Sequence, residues 1–300
     1  MDESNPPISI KIPAYPPLSD FPADVLKWMK QNVLSSPRLA VKLMKLNKYF
    51  LHSQFPYICI KCILSPLEHN ADEWFIKNLD DSWMNGLNFN DIPDNIWLTE
   101  TLSFDKPNLI PQLLPKIVVF DITELALIGN SFVTCSINHF KLITSGRKLE
   151  RLYLRQILFI DDNGENMPYD VMLEYVPDLA FLNLSFIDLQ LSSSNIIDKL
   201  ATSKLQRLIL TEIPDSFDFE TLLSSLKQKP DLYVRLHFQD TITPEYCAKL
   251  QAFIDKIIQA GLTQFFPPRL DFPGATDEST LALKKLRREY KKNLEQYFTG

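Results

Sequence analysis

Glycine is scarce in this chain, with 7 residues in 300. Phosphate-binding loops and dinucleotide fingerprints need clustered glycines, because only glycine lets several backbone N–H groups approach a phosphate closely. The glycines here are scattered, and none stands in the Gly-x-Ser-x-Gly sequence that presents the nucleophile of many hydrolases. We therefore expect neither a nucleotide cofactor nor an activity of these enzyme classes.

Cysteine and histidine are equally sparse, with 4 residues of each. So few cysteines cannot form a disulfide scaffold in a chain of this length, and they are typical of a reducing compartment. Cys59 and Cys62 have the spacing of a metal knuckle, but no second pair follows, and a closed zinc site needs four ligands. Both stand in the apolar sequence YICIKCIL, so we expect buried structural cysteines, with no bound metal or other cofactor.

The chain also lacks an excess of positive charge and a long hydrophobic run. Its 31 basic and 37 acidic residues leave a net charge of −6, whereas nucleic-acid-binding proteins usually carry a basic surface. The longest apolar run, 57–64, contains Lys61 and is far shorter than the roughly 20 residues that cross a bilayer. The start, MDESNPPISIKIP, has no signal-peptide pattern. We expect a cytoplasmic or nuclear protein with no nucleic-acid or membrane partner.

The N-terminal part of the chain combines a proline-rich stretch with an amphipathic segment. Residues 1–17 hold five prolines and no helical period, which predicts a disordered arm. Pro22 suits the first turn of a helix, where its missing N–H would have no partner in any case. Apolar residues then follow at helical spacing, namely Val25, Leu26, Met29 and Val33.

A second helix is predicted after Pro37. Its core stripe recurs at helical spacing and consists of Leu39, Leu43, Leu46 and Phe50. Val41, Met44 and Leu51 lie on another side of this helix, since each residue advances by about 100°. They are either scattered surface hydrophobes or a second contact, made with another chain or with the rest of this one.

The middle of the chain changes in character twice. Residues 66–115 are rich in tryptophan and asparagine and have no clear period, so we expect a helical linker of short helices and turns. Residues 116–262 repeat an apolar template five times, with starts 27, 30, 26 and 28 residues apart. The five matches are Ile122-x-x-Leu125-x-Leu127, Leu149-x-x-Leu152-x-Leu154, Leu179-x-x-Leu182-x-Leu184, Leu205-x-x-Leu208-x-Leu210 and Tyr233-x-x-Leu236-x-Phe238.

A strand and a helix that repeat every 26–30 residues favour a leucine-rich-repeat-like solenoid. The alternative is an α/β domain with a parallel sheet, which alternates strands and helices in the same way. Beyond the repeats, 244–260 predicts an amphipathic helix. Residues 263–300 predict a linker and a C-terminal helix from about Glu278, whose basic side is either an anion-binding surface or a solvated face.

The N-terminal pattern resembles an F-box. It is carried by Phe21, Pro22, Asp24, Val25 and Leu26, then by Met29, Val33, Leu34, Leu43 and Leu46, and it closes with Tyr49 and Phe50. The downstream sequences PKIVVFDITEL, LITSGRKLERLYL and EYCAKLQAFIDKII are similar to an expanded nematode group of F-box proteins with divergent leucine-rich repeats. The resemblance covers about residues 18–260.

This resemblance implies an α/β fold class with an all-helical F-box over 18–65, an irregular leucine-rich-repeat-like strand–helix solenoid over 116–262, and a C-terminal helix. It also implies a non-enzymatic function, that of the substrate receptor of an SCF-type ubiquitin ligase, which binds a Skp-type adaptor and an unknown protein target. The expected adaptor contacts are Phe21, Pro22, Val25, Leu26, Met29, Val41 and Met44. Two alternatives are a repeat scaffold without a ligase role and an enzyme whose site is assembled in space.

Overall fold

The computed structural model describes residues 21–34, 42–43, 57–65, 73–185, 194–261 and 265–299. In these residues the helices are α1 (Ala23–Leu34), α2 (Ile110–Leu113), α3 (Ile137–Ile143), α4 (Tyr169–Leu173), α5 (Ser194–Thr202), α6 (Phe219–Leu226), α7 (Pro244–Ala260) and α8 (Asp277–Thr299). The strands are β1 (Ile58–Leu64), β2 (Trp74–Asn78), β3 (Trp83–Leu87), β4 (Ile96–Phe104), β5 (Ile117–Phe120), β6 (Glu124–Ser136), β7 (Arg151–Ile160), β8 (Phe181–Ser185), β9 (Arg207–Ile213), β10 (Tyr233–Phe238) and β11 (Arg269–Asp271).

The chain divides into two compact units. The first unit consists of Met1–Leu127 and Asn138–Lys148, and the second of Ile128–Ile137 and Leu149–Gly300. Each unit contains β-strands covered by helices, and each is described here by itself.

The first unit contains a mixed sheet. β3 pairs with β2 and β2 with β1, both antiparallel, whereas β1 pairs with β4 in parallel. β4 also pairs in parallel with β5 along its first half and with the beginning of β6 along its second half. Ile96, Leu98, Leu102 and Phe104 of β4 are fully buried, so this strand forms the centre of the core.

The second unit contains a parallel sheet in which β7, β8, β9, β10 and β11 pair in chain order. Residues alternate between two faces along each strand, as the period of two requires. Leucines such as Leu152, Leu182 and Leu208 are buried on one face and lie directly opposite one another on neighbouring strands. Arginine, tyrosine and asparagine occupy the outward face.

The helices α4 to α7 follow strands of the parallel sheet, and consecutive helices pack together from α4 to α6. The predicted helix over 244–260 is confirmed as α7. The hydroxyl of Thr243 caps its first turn by accepting a hydrogen bond from the N–H of Tyr246, and Gly261 ends it with φ 69°. The predicted C-terminal helix is confirmed as α8, and it packs against α7.

The predicted fold class is wrong in its description of the N-terminal part. Within the described part of 18–65, α1 is followed by β1, which lies between β2 and β4 in the sheet of the first unit. These residues therefore do not form an all-helical F-box. The cause is the apolar sequence ICIKCIL, because a short continuous apolar run is compatible with either a buried strand or a buried helix.

The predicted solenoid is wrong as well. The helices α4, α5 and α6, which connect β7 to β10, have only five, nine and eight residues. Residues 66–115, expected to be helical, contribute β2, β3 and β4. The chain is a strand-rich α/β protein, and the alternative of an α/β domain with a parallel sheet describes the second unit.

The template itself located the strands, but its fifth match is out of register. Leu208 lies opposite Leu182 on one side and Val234 on the other, and Leu210 lies opposite Leu236. The fifth match, which began at Tyr233, is therefore displaced by two residues along β10. The displacement leaves Tyr233 on the outward face, where it is half-buried.

None of the helices in the described residues combines the length and the hydrophobicity needed to cross a membrane.

Candidate functional site

One face of helix α1 packs against the core of the first unit. The helix begins directly after Pro22, whose carbonyl accepts a hydrogen bond of 3.0 Å from the N–H of Leu26. Asp24 in the first turn interacts favourably with the partial positive charge of the helix N-terminus. Leu26 and Met29, three residues apart, pack against the buried cluster of Tyr57 and Trp97.

The other apolar face of α1 is exposed. Phe21 lies just before the first helical residue, and Val25 and Trp28, three residues apart, share one side of the helix. Their side chains are 43%, 37% and 63% exposed. Single exposed hydrophobic residues are ordinary, but several large ones on one face mark an interaction surface. We call these three residues the α1 surface.

The structure separates the adaptor-binding residues expected from the sequence. Phe21 and Val25 lie on the α1 surface, and Pro22 is exposed at the beginning of the helix. Leu26 and Met29 are turned towards the chain's own core. Val41 and Met44 lie outside the described residues, although Lys42 and Leu43 between them are helical. Trp28 was missed, and its spacing of three residues from Val25 is the signal that could have identified it.

The second candidate surface is the outward face of the parallel sheet in the second unit, which we call the sheet face. The five strands β7 to β11 contain five arginines and two acidic residues. The arginines are Arg151, Arg155, Arg207, Arg235 and Arg269, and the acids are Glu212 and Asp271. This face is locally basic although the whole chain carries a net charge of −6.

Arg207 is stacked between aromatic rings on the sheet face. It lies directly opposite Phe181 on one neighbouring strand and Tyr233 on the other. Its guanidinium carbon is 5.2 Å from the Phe181 ring centroid and 4.9 Å from that of Tyr233. Phe181 also contacts Tyr153, with ring centroids 4.9 Å apart. Arginine and tyrosine in such an arrangement are typical of protein-binding hot spots.

A recess of about 370 Å³, lined by polar and apolar residues, lies farther along the same strands. A bulge in β9 places Glu212 at φ 58°, because β9 advances three residues from Leu210 to Ile213 while β10 advances two. The bulge directs the Glu212 carboxylate to accept a hydrogen bond of 2.7 Å from the hydroxyl of Ser185, which is only 2% exposed.

The recess is suited to recognising polar groups. His237 also lines it, but no hydrogen bond joins His237 to Ser185 among the residues that the structure describes. Nucleophilic serine needs such a base within hydrogen-bond distance. Arg155 lies 3.9 Å from Glu212 and is more than half exposed, so it remains accessible to an acidic or amide group of a partner.

The thiols of Cys59 and Cys135 are poorly suited to act as nucleophiles or metal ligands. Cys59 is half-buried on β1 and Cys135 is buried on β6. Burial raises the pKa of each of these thiols to about 12. They therefore stay protonated at neutral pH, and a protonated thiol is a weak nucleophile and a poor metal ligand.

Comparison with known protein families found no family that matches this chain, and comparison with curated proteins found no match either. The functional interpretation therefore depends on the two surfaces.

Proposed function

We propose that this protein is a non-enzymatic binding subunit, the substrate receptor of an SCF-type ubiquitin ligase. The α1 surface binds a Skp-type adaptor, and the sheet face binds a protein target. Holding the target on the ligase makes ubiquitin transfer effectively intramolecular, which raises the effective concentration of the reacting groups. The adaptor-binding half of the proposal concerns the α1 surface alone and requires no all-helical F-box.

The observation that carries the proposal is the exposure of three large apolar side chains, those of Val25 and Trp28 on one side of α1 and that of Phe21 just before it. The largest of these side chains is that of Trp28, which is 63% exposed. Tryptophan is the residue most enriched at binding hot spots, because its large ring gains much from burial while little conformational entropy is lost. The F-box resemblance includes Phe21 and Val25, and it is the reason for proposing a Skp-type adaptor as the partner.

The sheet face supports the target-binding half of the proposal. Its aromatic rings and arginines provide area, cation–π contacts and bidentate hydrogen bonding within one surface. Its backbone is fixed by the parallel pairing of β7 to β11. A rigid surface of this kind loses little entropy when a partner binds.

The adaptor-binding half can be tested with the double variant Val25→Asp/Trp28→Ala. We expect the wild-type chain to bind a recombinant Skp-type adaptor with a Kd in the micromolar range or below, measured by isothermal titration calorimetry. The double variant should bind at least about 100-fold more weakly, because loss of a hot-spot residue costs about 2 kcal/mol or more and buried Asp adds a desolvation penalty.

The matched control is Lys27→Ala, which changes an exposed residue between the two substituted positions. It should bind the adaptor as the wild type does. Leu26→Asp is a poor choice, because Leu26 packs on the cluster of Tyr57 and Trp97 and its loss would disturb folding. Absence of wild-type binding at micromolar concentrations, or equal binding by the double variant, would show that the adaptor proposal is wrong.

A second candidate function is a protein-interaction scaffold without a ligase role. Its support is the packing of Leu26, Met29 and Leu43 on the chain's own residues Tyr57 and Trp97. In this case the N-terminal residues belong to the core of the first unit and bind no adaptor. The same titration distinguishes the two functions, since the scaffold predicts no adaptor binding by the wild type.

A further inference from the structure

A basic recess of about 340 Å³ lies in the second unit where β10 and β11 meet α8. Five of its lining residues are cationic, namely Arg269, Lys284, Arg287, Arg288 and Lys291. Of the lining residues, Asp271 alone is acidic. Five positive charges and one negative charge leave the recess with a net charge of +4, in a chain whose overall net charge is −6.

Asp271 is already engaged by two arginines. Its carboxylate accepts a hydrogen bond of 2.7 Å from Nε of Arg235 and one of 2.8 Å from Nε of Arg269. Burial on its own raises the pKa of Asp271, but the hydrogen bonds from Arg269 and Arg235 outweigh this effect and lower the pKa below its usual value. One carboxylate therefore accepts hydrogen bonds from two guanidinium groups, and each guanidinium carries further N–H donors on its Nη atoms.

The charge of Arg287 is attracted by Asp271, the one acidic group that lines the recess, but Asp271 is already engaged by Arg235 and Arg269. Its side chain is half-buried, and it makes neither a hydrogen bond nor an ion pair with another described residue. Burial lowers the pKa of its guanidinium, yet arginine stays protonated at neutral pH because its ordinary pKa is above about 12. A partly buried, unpaired charge is unfavourable, and a bound anion would relieve that cost.

We propose that this recess binds a small ligand through two or more closely spaced phosphate groups. One phosphate monoester carries a charge of about −1.5 to −2 at neutral pH, so two phosphates match the net charge of the recess. Arginine binds phosphate oxygens bidentately. The hydroxyls of Tyr233 and Thr280, which also line the recess, add further donors.

A small ligand fits better than an extended polyanion. The five cationic residues of the recess surround one volume of about 340 Å³, whereas the whole chain is acidic and would repel a long nucleic acid. This inference does not rest on the proposed adaptor binding, because every residue of the recess belongs to the second unit, whereas α1 belongs to the first.

Pyrophosphate is the probe for this site. We expect isothermal titration calorimetry at constant ionic strength to show saturable binding of pyrophosphate to the full chain, tighter than that of inorganic phosphate. Arg287→Gln should weaken pyrophosphate binding at least about tenfold, because it removes charge-assisted hydrogen bonds. The matched control is Lys285→Gln on the same helix, which removes an exposed lysine that does not line the recess and should leave binding unchanged.

Thermal unfolding provides a second readout. Without ligand, Arg287→Gln should be as stable as the wild type or more stable, since it removes an unpaired charge, and pyrophosphate should no longer raise its Tm. The proposal is overturned if pyrophosphate does not bind, if Arg287→Gln binds it as tightly as the wild type, or if sulfate at the same ionic strength binds equally well.

Discussion

Phe219→Ala should lower the free energy of unfolding by about 3–5 kcal/mol, the range found for deletion of a fully buried aromatic ring. Phe219 begins α6 and is completely buried. Its ring meets those of Phe238, Tyr246 and Phe253 edge to face, with centroids 6.2, 5.9 and 5.2 Å apart. Its three aromatic neighbours are rigid rings that cannot easily fill the cavity, which places the cost high in this range.

Chemical denaturation followed by circular dichroism measures this effect, and Phe132→Ala is its control. Phe132 lies in the same unit but is 63% exposed, so its removal should change stability by less than about 0.5 kcal/mol. Equal effects of the two substitutions would show that the aromatic cluster around Phe219 is not the core of this unit.

Gly146→Ala should lower the stability of the first unit by about 3 kcal/mol, at the upper end of the range for overpacking. A Cβ atom at Gly146 would lie 2.1 Å from the carbonyl oxygen of Phe120, far closer than two such atoms approach. Neither backbone can move easily. Phe120 ends β5 and lies opposite Leu98, while the next residue, Asp121, donates its N–H to the Leu98 carbonyl at 2.8 Å and pairs with Lys148 at 2.9 Å.

Ser145→Ala is the matched control for this substitution, because Ser145 is the exposed neighbour of Gly146. It should leave the urea midpoint almost unchanged, whereas Gly146→Ala should shift it clearly to lower urea. A Gly146→Ala variant as stable as the wild type would mean that the turn after α3 does not pack on the end of β5.

The strands of the second unit could be located from the sequence, because a buried face repeats at a regular interval. Leu152, Leu182 and Leu208 were placed at equivalent positions of the template, and they do lie opposite one another. The overall architecture could not be derived in the same way. A strand followed by a helix is compatible with both a solenoid and a parallel sheet, and only tertiary packing distinguishes them.

The errors have local physical causes. The match at Tyr233 was displaced by two residues because side chains alternate between the two faces of a strand with a period of two. A shift by two residues therefore still places apolar residues at the positions of the template. The bulge at Glu212 changes which residues face outward, and no glycine marks it in the sequence. ICIKCIL shows neither a helical period nor the regular alternation of a strand. The position of β1 between β2 and β4 could therefore not be anticipated.

The candidate surfaces were predicted only in part. Phe21 and Val25 were expected to bind a partner, but one apolar stripe was assumed where α1 has two, one packed and one exposed. The basic side of α8 was recognised as a possible anion-binding surface. The sequence could not show that Arg287 lines one recess with Arg269 and Asp271, because their proximity depends on the packing of α8 in the second unit.

The central claim is that one chain binds an adaptor and a target through separate surfaces. Its most direct test is quantitative affinity purification and mass spectrometry with three full-length forms, namely the wild type, Val25→Asp/Trp28→Ala and Arg155→Glu/Arg207→Glu. Arg155 and Arg207 are exposed on the sheet face, so reversing their charge changes that surface with little effect on the core.

We predict that the wild type retains a Skp-type adaptor together with further proteins. The α1 variant should lose the adaptor and keep the others, and the sheet-face variant should keep the adaptor and lose one or more of the others. Absence of the adaptor from the wild-type purification, or loss of the same proteins from both variants, would contradict the claim.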